Sequence, residues 1–541
     1  MAFNPSSTIY LCKVPFDSTY KHQVWFFSNS KQQEYFTSKV VKTFTEYLPV
    51  RKTLPNGGFQ SAVRVGANID ELQNCNYMYY QNANHGTKFF YCFIEKFIYI
   101  NENTTEIIFE TDVYQTWRGE VNIKPSYVVR EHSNTDEIGD NITPEKFNFA
   151  DYDYKLVNMS FSNEKMNLNS GTRGILVGSS KMWKGDTAYG QIYTGNYQGV
   201  AFYYFRNITE VNKFVEEMVS DGYDDILFMI DIPEFLVDGA TLTHPTNQTT
   251  ENGGYISSKA TATKGSSTTT FNESSVSFDG FKPINKKLYT NPFCNLIVTN
   301  HSGNEAVYNL EDFSNGVEFE MVGDLCSSPS ITLYPKNYKG IGSNIDCGIT
   351  INDFTHCAFN IDSYKLWLAR NKGTMLIDTV SNIGSIASGI GMVATGGAGL
   401  SMGLGAVMSG ASGLMQTLNA SYQAEKEPNK YHAGSPKSSL LNAMGKHDFD
   451  YYYRTIKRHF AESVDDFFTM YGYQTNRVKY PNVTEPWLRD FYYTETIDVN
   501  ISGNIPNEDM KVLKAMFNNG VTFWRDSAKM YDYTIDNSPR T

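Results

Sequence analysis

From Asn76 to Phe109 the chain alternates runs of aromatic and β-branched residues with two polar interruptions, QNANHGT and NENTT, both rich in turn formers. The pattern predicts an antiparallel meander. Aromatic clusters recur at Phe202 to Phe205, Tyr451 to Tyr453 and Phe491 to Tyr493 without a fixed period, so sheets are expected along the whole chain. The clearest helical pattern is Glu210 to Asp221, with Thr209 as N-cap, Gly222 closing the last turn, and Val211, Phe214, Val215 and Met218 on one face. It reads as a surface helix packed on a sheet. Between Thr241 and Gly280, Thr, Ser, Gly and Asn dominate, which predicts an exposed loop or long hairpin.

One segment departs from the rest. Between Asp378 and Glu425 lie 46 consecutive uncharged positions, Thr379 to Ala424, in a chain that is 19% charged. Gly, Ala and Ser fill 24 of them, proline is absent and Tyr422 is the one aromatic. Val380, Ile383, Ile386, Ile390 and Val393 step by three or four, and Leu400, Leu404, Val407, Ala411, Leu414 and Leu418 repeat the spacing. Gly396 and Gly397 break the two runs, which predicts a helical hairpin with arms of roughly 17 to 27 residues, enough to cross about 30 Å of hydrocarbon. Gly399 and Gly403 form a GxxxG pair that lets helices approach closely in lipid. Ten glycines weaken such a helix in water, so the segment fits a conditional membrane element better than a permanent span. The competing reading is a flexible glycine-rich loop or a buried hairpin packed inside an oligomer. The polar stretch EKEPNKYHAGSPKSS, broken by Pro428 and Pro436, leads back into the folded body, so the segment reads as an insertion.

At 541 residues the chain has room for about three or four domains. A net charge of −12 argues against a protein that wraps and neutralises a phosphate backbone. Seven scattered cysteines without CxxC spacing indicate neither a disulfide framework nor a zinc site, and most are expected to be buried thiols. The opening MAFNPSSTIYLCKVPF has no basic segment followed by an apolar run, so no secretory signal is expected and synthesis ends in a cytoplasm.

Catalytic signatures are weak throughout. GxxxxGK[ST], HExxH and spaced Cys/His metal sets are absent from the sequence, so no cofactor or metal is expected. Arg130, Glu131 and His132 are adjacent, and neighbours on a strand point to opposite faces, which favours an ion-pair or turn role over catalysis. His356 and Cys357 are expected to form a buried pair. Asp224 with Asp225 and Asp465 with Asp466 are adjacent carboxylates that do not by themselves make the two-sided arrangement of a wall hydrolase.

Four stretches resemble a known family. VPFDSTYKHQVWFFSNSKQQEYF supplies Pro15, Phe16, Asp17, Tyr20, Phe26, Gln32, Tyr35 and Phe36. FETDVYQTW supplies Asp112, Val113, Gln115 and Thr116, SYVVREHSNTDEIGD supplies Val129, Arg130, Glu131 and His132, and DDFFTMYGYQTNRV supplies Phe467, Phe468, Tyr471, Gly472, Tyr473 and Asn476. Together they resemble the tail knob, or distal tail tube, proteins of small short-tailed phages of Gram-positive bacteria. The resemblance covers the ends of the chain better than Asp151 to Tyr364. It implies a non-enzymatic virion structural protein, a homohexamer with a hollow lumen, joined to other tail and connector proteins. Double-stranded DNA would leave through the lumen without sequence-specific binding. It also implies that hydrophobic loops plug the lumen and then insert into the lipids of the host cytoplasmic membrane, and the uncharged insertion looks like those loops.

The resulting expectation is a mainly β, multidomain tail tube or knob protein with some helix and an inserted glycine-rich hydrophobic helical hairpin or loop. Its parts are a tube-forming region at 1–150, a middle region at 151–370, the insertion and its linker at 371–440, and a C-terminal β-rich segment at 441–541. The alternative is a receptor-binding or wall-degrading tip protein whose glycine-rich stretch is internal packing.

Overall fold

The computed structural model describes residues 7–45, 52–53, 59–82, 86–157, 173–181, 192–193, 196–197, 200–243, 253–258, 263–269, 276–301, 303–352, 354–363, 365–366, 369–370, 423–426, 428–432, 448–484 and 488–538. The chain divides into two compact units. The first comprises Met1–Asp153, Ser277–Cys294 and Thr455–Thr541, and the second Tyr154–Val276 and Asn295–Arg454.

In the first unit the meander predicted from Asn76 to Phe109 is present as strands Tyr77–Asn82, Phe89–Asn101 and Thr104–Thr111. They are the centre of a six-stranded antiparallel sheet flanked by Ser7–Cys12 and Val40–Phe44 on one side and by Ala62–Val65 on the other. Period-two alternation explains how this sheet is buried on both faces. Tyr77, Tyr79, Tyr91 and Phe93 face one cluster, which holds Phe16, Phe26 and Phe36, while Met78, Cys92, Ile107 and Phe109 face another with Ile9, Leu11 and Val63. The helix Asn29–Ser38 closes the aromatic side through Phe36, whose ring lies 5.3 Å from that of Tyr77 and 4.6 Å from that of Tyr91.

A second sheet in this unit joins the two ends of the sequence. Its strand order is His22–Val24, Val521–Trp524, Phe491–Ile497, Ser126–Glu131 and Tyr473–Lys479. The first two strands are parallel and the remaining pairs antiparallel. The helix Asn507–Asn518 packs beneath it, placing Leu513, Met516 and Phe517 against Val113, Tyr492 and Phe523.

In the second unit, a five-stranded sheet runs in the order Ile226–Pro233, Arg173–Ser179, Ala201–Phe205, Gly253–Ser258, Thr241–Thr243. The helix Ile208–Ser220 covers it with Val211, Phe214 and Met218, as the apolar spacing predicts. The helix starts earlier than expected: Asn207, not Thr209, is the N-cap, and its side chain accepts the N–H of Thr209 at 2.8 Å. Gly222, at φ 86°, ends the last turn as expected.

Of the exposed loop or long hairpin expected for the Ser/Thr-rich stretch, the structure shows paired strands, Thr241–Thr243 lying antiparallel to Gly253–Ser258. Gly253–Ser258 pairs with Ala201–Phe205, and Thr263–Thr269 pairs with Phe313–Asp324 in a different sheet, completed by Ser330–Tyr338 and Ile341–Ser343. Threonine's branched side chain suits a pleated sheet even where few residues are apolar. A further sheet orders Tyr152–Val157, Asp450–Ile456, Cys294–Thr299 and Glu305–Tyr308. Residues 379–422, which include nearly all of the uncharged segment, lie outside the described residues. Among the described residues no helix is long and apolar enough to cross a membrane.

Phe36 is fully buried within the aromatic cluster. Phe36→Ala should therefore destabilise the first unit by about 3–5 kcal/mol, read as a lower midpoint in chemical denaturation with fluorescence of the aromatic cluster.

Candidate functional site

Three constellations carry the residues singled out by sequence. The first surrounds Asp112, which caps the short helix Val113–Trp117 by accepting the N–H of Gln115 at 3.1 Å. Its other oxygen accepts the Tyr77 hydroxyl at 2.9 Å. Gln115 donates to Gln23 Oε1 and to the Val24 carbonyl, and its own carbonyl and side-chain oxygens both accept from Gln32 at 2.8 Å. The motif residues of the first two stretches therefore meet in one buried polar knot that fixes the sheet edge at His22–Val24. Burial pushes the Asp112 carboxyl up to about 7.

The second constellation lies on the strand Ser126–Glu131. Arg130 donates to Glu145 and to the Gly472 carbonyl, and its guanidinium lies 4.7 Å over the Phe467 ring. Glu145 also accepts Lys287 Nζ at 2.8 Å and the N–H of Gln474 at 2.9 Å. Glu131 pairs with Lys479 on the other side of the strand. His132 is buried in one tautomer: Nε2 donates to the Thr469 carbonyl at 2.9 Å, while Nδ1 accepts the N–H of Tyr493 at 2.8 Å. Burial lowers its pKa to about 4. Tyr473 donates to Asp136, which burial raises to about 6. Tyr471 packs edge-on to Tyr493. Gly472 has φ 67° and ψ −154°, a region open in practice to glycine alone, and a Cβ there would stand 2.2 Å from the Glu131 carbonyl oxygen. This cluster ties Ser126–Glu131 to the end of helix Arg458–Tyr471.

The third constellation, in the second unit, holds the two ends of the insertion. Strands Phe359–Ile361 and Lys430–His432 pair antiparallel, with Phe359 opposite His432 and Ile361 opposite Lys430. The Phe359 and His432 rings stack at 4.4 Å. Ser363 Oγ donates to the Pro428 carbonyl at 2.9 Å. Asp224, two residues beyond Gly222, accepts from both Arg370 and Lys430, so one carboxylate joins the residues before and after the insertion. Arg370 also donates to the Gly222 carbonyl at 2.9 Å. Burial pushes the Asp224 carboxyl up, and the two cationic donors more than reverse this, holding it below the usual carboxylate range. Leu366 and Ile361 seat this stem on Val219 of helix Ile208–Ser220.

The expected membrane-insertion residues Val380, Ile383, Ile386, Ile390, Val393, Leu400, Leu404, Val407, Leu414 and Leu418 lie outside the described residues. So do the hinge and packing residues Gly396, Gly397, Gly399 and Gly403.

Two other expectations change or resolve on the structure. His356 is exposed and Cys357 only half-buried, because both lie on an extended segment that runs beside Ile226–Pro233, where successive side chains alternate. They are not a buried pair. Asp465 is buried and accepts the N–H groups of Ile284 and Asn285 at 2.9 Å, a structural use of the carboxylate. All seven cysteines are free thiols, four of them buried. Among the described residues no cluster of His, Cys, Asp or Glu could hold a metal ion. Sequence reasoning missed Glu145, Lys287, Asp136 and Asn285, whose partners are distant along the chain.

The family model for the C-terminal domain of tail knob protein gp9 of Bacillus phage phi29 matches residues 257–538, more than half of the chain. The chain belongs to this family. The model of the caudoviral major tail protein N-terminus matches residues 5–122. Relatives agree over nearly full length: tail knob protein gp9 of Bacillus phage B103 is 25% identical over 605 aligned residues, 97% of each chain, and that of phage phi29 is 24% identical with 98% of each covered. The solved tail knob protein gp12 of bacteriophage C1 superposes with a TM-score of 0.65 at 16% identity over 98% of each chain, which shows a shared fold. This chain is thus a virion tail component of a structural, non-enzymatic class, with the mainly β, several-sheet architecture of tail knob proteins.

Removing the Asp224 carboxylate takes away its ion pairs with Arg370 and Lys430 while the strand pairing of the stem remains. Asp224→Ala should cost about 1 kcal/mol, since its partners are half exposed, and should raise amide exchange at Lys430–His432 while leaving the first unit unchanged. A second prediction concerns pH. The Asp112 carboxyl sits above its unfolded value of 3.8, so its contribution to stability is complete below 3.8 and is lost as pH rises through about 7. Denaturation midpoints of the wild type should fall over that window relative to those of Asp112→Asn.

Proposed function

We propose that copies of this chain assemble into the distal tail tube and knob, whose lumen passes double-stranded DNA, and that residues from about Met375 to Ala424 form a plug that later enters the host membrane. The carrying observation is the run of 46 uncharged, small-residue-rich positions in a chain that is otherwise 19% charged. The paired stem at Phe359–Ile361 and Lys430–His432 supports the reading, because it is a built attachment for an insertion at that point.

The mechanism is physical. While stowed, the apolar faces centred on Ile383, Ile386, Ile390, Leu400, Leu404 and Val407 pack among copies in the lumen, and Gly399 and Gly403 permit the close helix approach that this needs. After release, with Gly396 and Gly397 as the hinge, the same faces meet lipid, and small-residue contacts between several copies line a path for DNA. A net charge of −12 disfavours adhesion of passing phosphate. Assembly as a homohexamer and docking to other tail and connector proteins complete this reading.

Liposome leakage tests it. Intact protein should release trapped dye, whereas a chain with residues 379–424 replaced by a short Gly/Ser linker should assemble equally and release none. Ile386→Asp combined with Leu404→Asp should do the same, since a carboxylate at the centre of a membrane helix costs about 3 kcal/mol or more. Leakage that survives both changes would remove the plug from the account.

A further inference from the structure

The stem beneath the insertion is held by bonds of independent kinds. Three residue pairs form its ladder, and the Phe359 and His432 rings lie within 10° of parallel at 4.4 Å. Ser363 reaches across just past the ladder, its N–H donating to Asn429 Oδ1 at 3.2 Å and its hydroxyl to the Pro428 carbonyl at 2.9 Å. Ile361 and Leu366 are buried where they rest on Val219. Asp224 accepts from Arg370 on one arm and from Lys430 on the other. Parting the two strands would break these bonds together and leave a carboxylate only 17% exposed short of one of its two cations.

None of these groups belongs to the part that has to move. Eight residues separate Arg370 from Thr379, where the uncharged run begins, and Ala424, its last member, is buried. Eight residues of extended chain span up to about 28 Å, so the first arm can leave its place without pulling on the stem. The ladder also sets the roots of the two arms side by side. Partners across an antiparallel pair stand about 5 Å apart, and the axes of two packed helices about 8–10 Å apart, so a closed ladder delivers the arms at nearly the spacing that helix packing through Gly399 and Gly403 needs.

We infer that the stem stays closed while the insertion is released, so that the two arms enter the host membrane together as one hairpin, tip first, with both roots on the side from which they came. Gly396 and Gly397 then lead the way in, crossings by each copy come in pairs, and the sheet and helix that carry the stem keep their fold throughout. The inference rests on the plug reading and deepens it, by fixing the topology in which the segment meets lipid.

A covalent lock tests it. Asn360 and Tyr431 stand opposite one another with exposed side chains, Tyr431 at 75%, so Asn360→Cys combined with Tyr431→Cys keeps the side-chain bonds described above. Dibromobimane, which fluoresces when it bridges two thiols, closes the pair, and peptide mass mapping tells this bridge from the native cysteines. The bridged chain should release dye from liposomes at the rate of its unbridged form. In parallel, hydrogen exchange of the wild-type chain should be as slow at Phe359–Ile361 and Lys430–His432 during leakage as before it. Loss of leakage on bridging, or exchange at the stem that rises as dye is released, would overturn the closed stem and leave the plug reading standing. Wild-type chains that release no dye would overturn both.

Discussion

Backbone pairing between strands from opposite ends of the sequence is the constraint on which the rest of the molecule rests. His22–Val24 lies beside Val521–Trp524, and Ser126–Glu131 lies between Tyr473–Lys479 and Phe491–Ile497. Each such bond contributes only about 1 kcal/mol net, but leaving its groups buried and unpaired costs more. The buried side chains at this seam are arranged to avoid that cost. Asp112, Gln115, Glu145 and His132 each bond to groups far away in sequence, and His132 uses both ring nitrogens. The second unit is then one long excursion from this seam, broken once when Ser277–Cys294 returns to the first unit.

The seam also clarifies what sequence could reveal. The meander from Tyr77 to Thr111 was legible because both faces are buried and its turns are unusually polar. The helix Ile208–Ser220 was legible because its apolar face is complete. Helix Asn29–Ser38 was not, since it buries only Gln32 and Phe36. Strands Gly253–Ser258 and Thr263–Thr269 lie in a stretch whose composition fits an exposed loop or a long hairpin, because threonine-rich strands resemble linkers by composition, and Gly253–Ser258 does pair antiparallel with Thr241–Thr243. Among site residues, Arg130, Glu131 and His132 stand out as adjacent polar residues, but their partners Glu145, Lys479 and Thr469 are 15 to 348 positions away, a relation no local pattern encodes. The stem on Asp224 was hidden for the same reason, since it links residues 224, 370 and 430.

The stem has a thermodynamic side. Closing a loop costs an entropy that grows only with the logarithm of its length, about 0.6 kcal/mol for each doubling. A paired base with a shared carboxylate can therefore carry a segment as long as 371–422 at little more expense than a loop of half the size.

The interleaved seam also imposes an order on synthesis. Ribosomes extend a chain of this length over about half a minute to two minutes. Through all of that time His22–Val24 waits for Val521–Trp524, while every residue of the second unit has emerged once Arg454 is made. The last unit to finish is thus the one that begins the chain, and a polypeptide released before residue 521 carries a completed second unit on a first unit that cannot close its sheet.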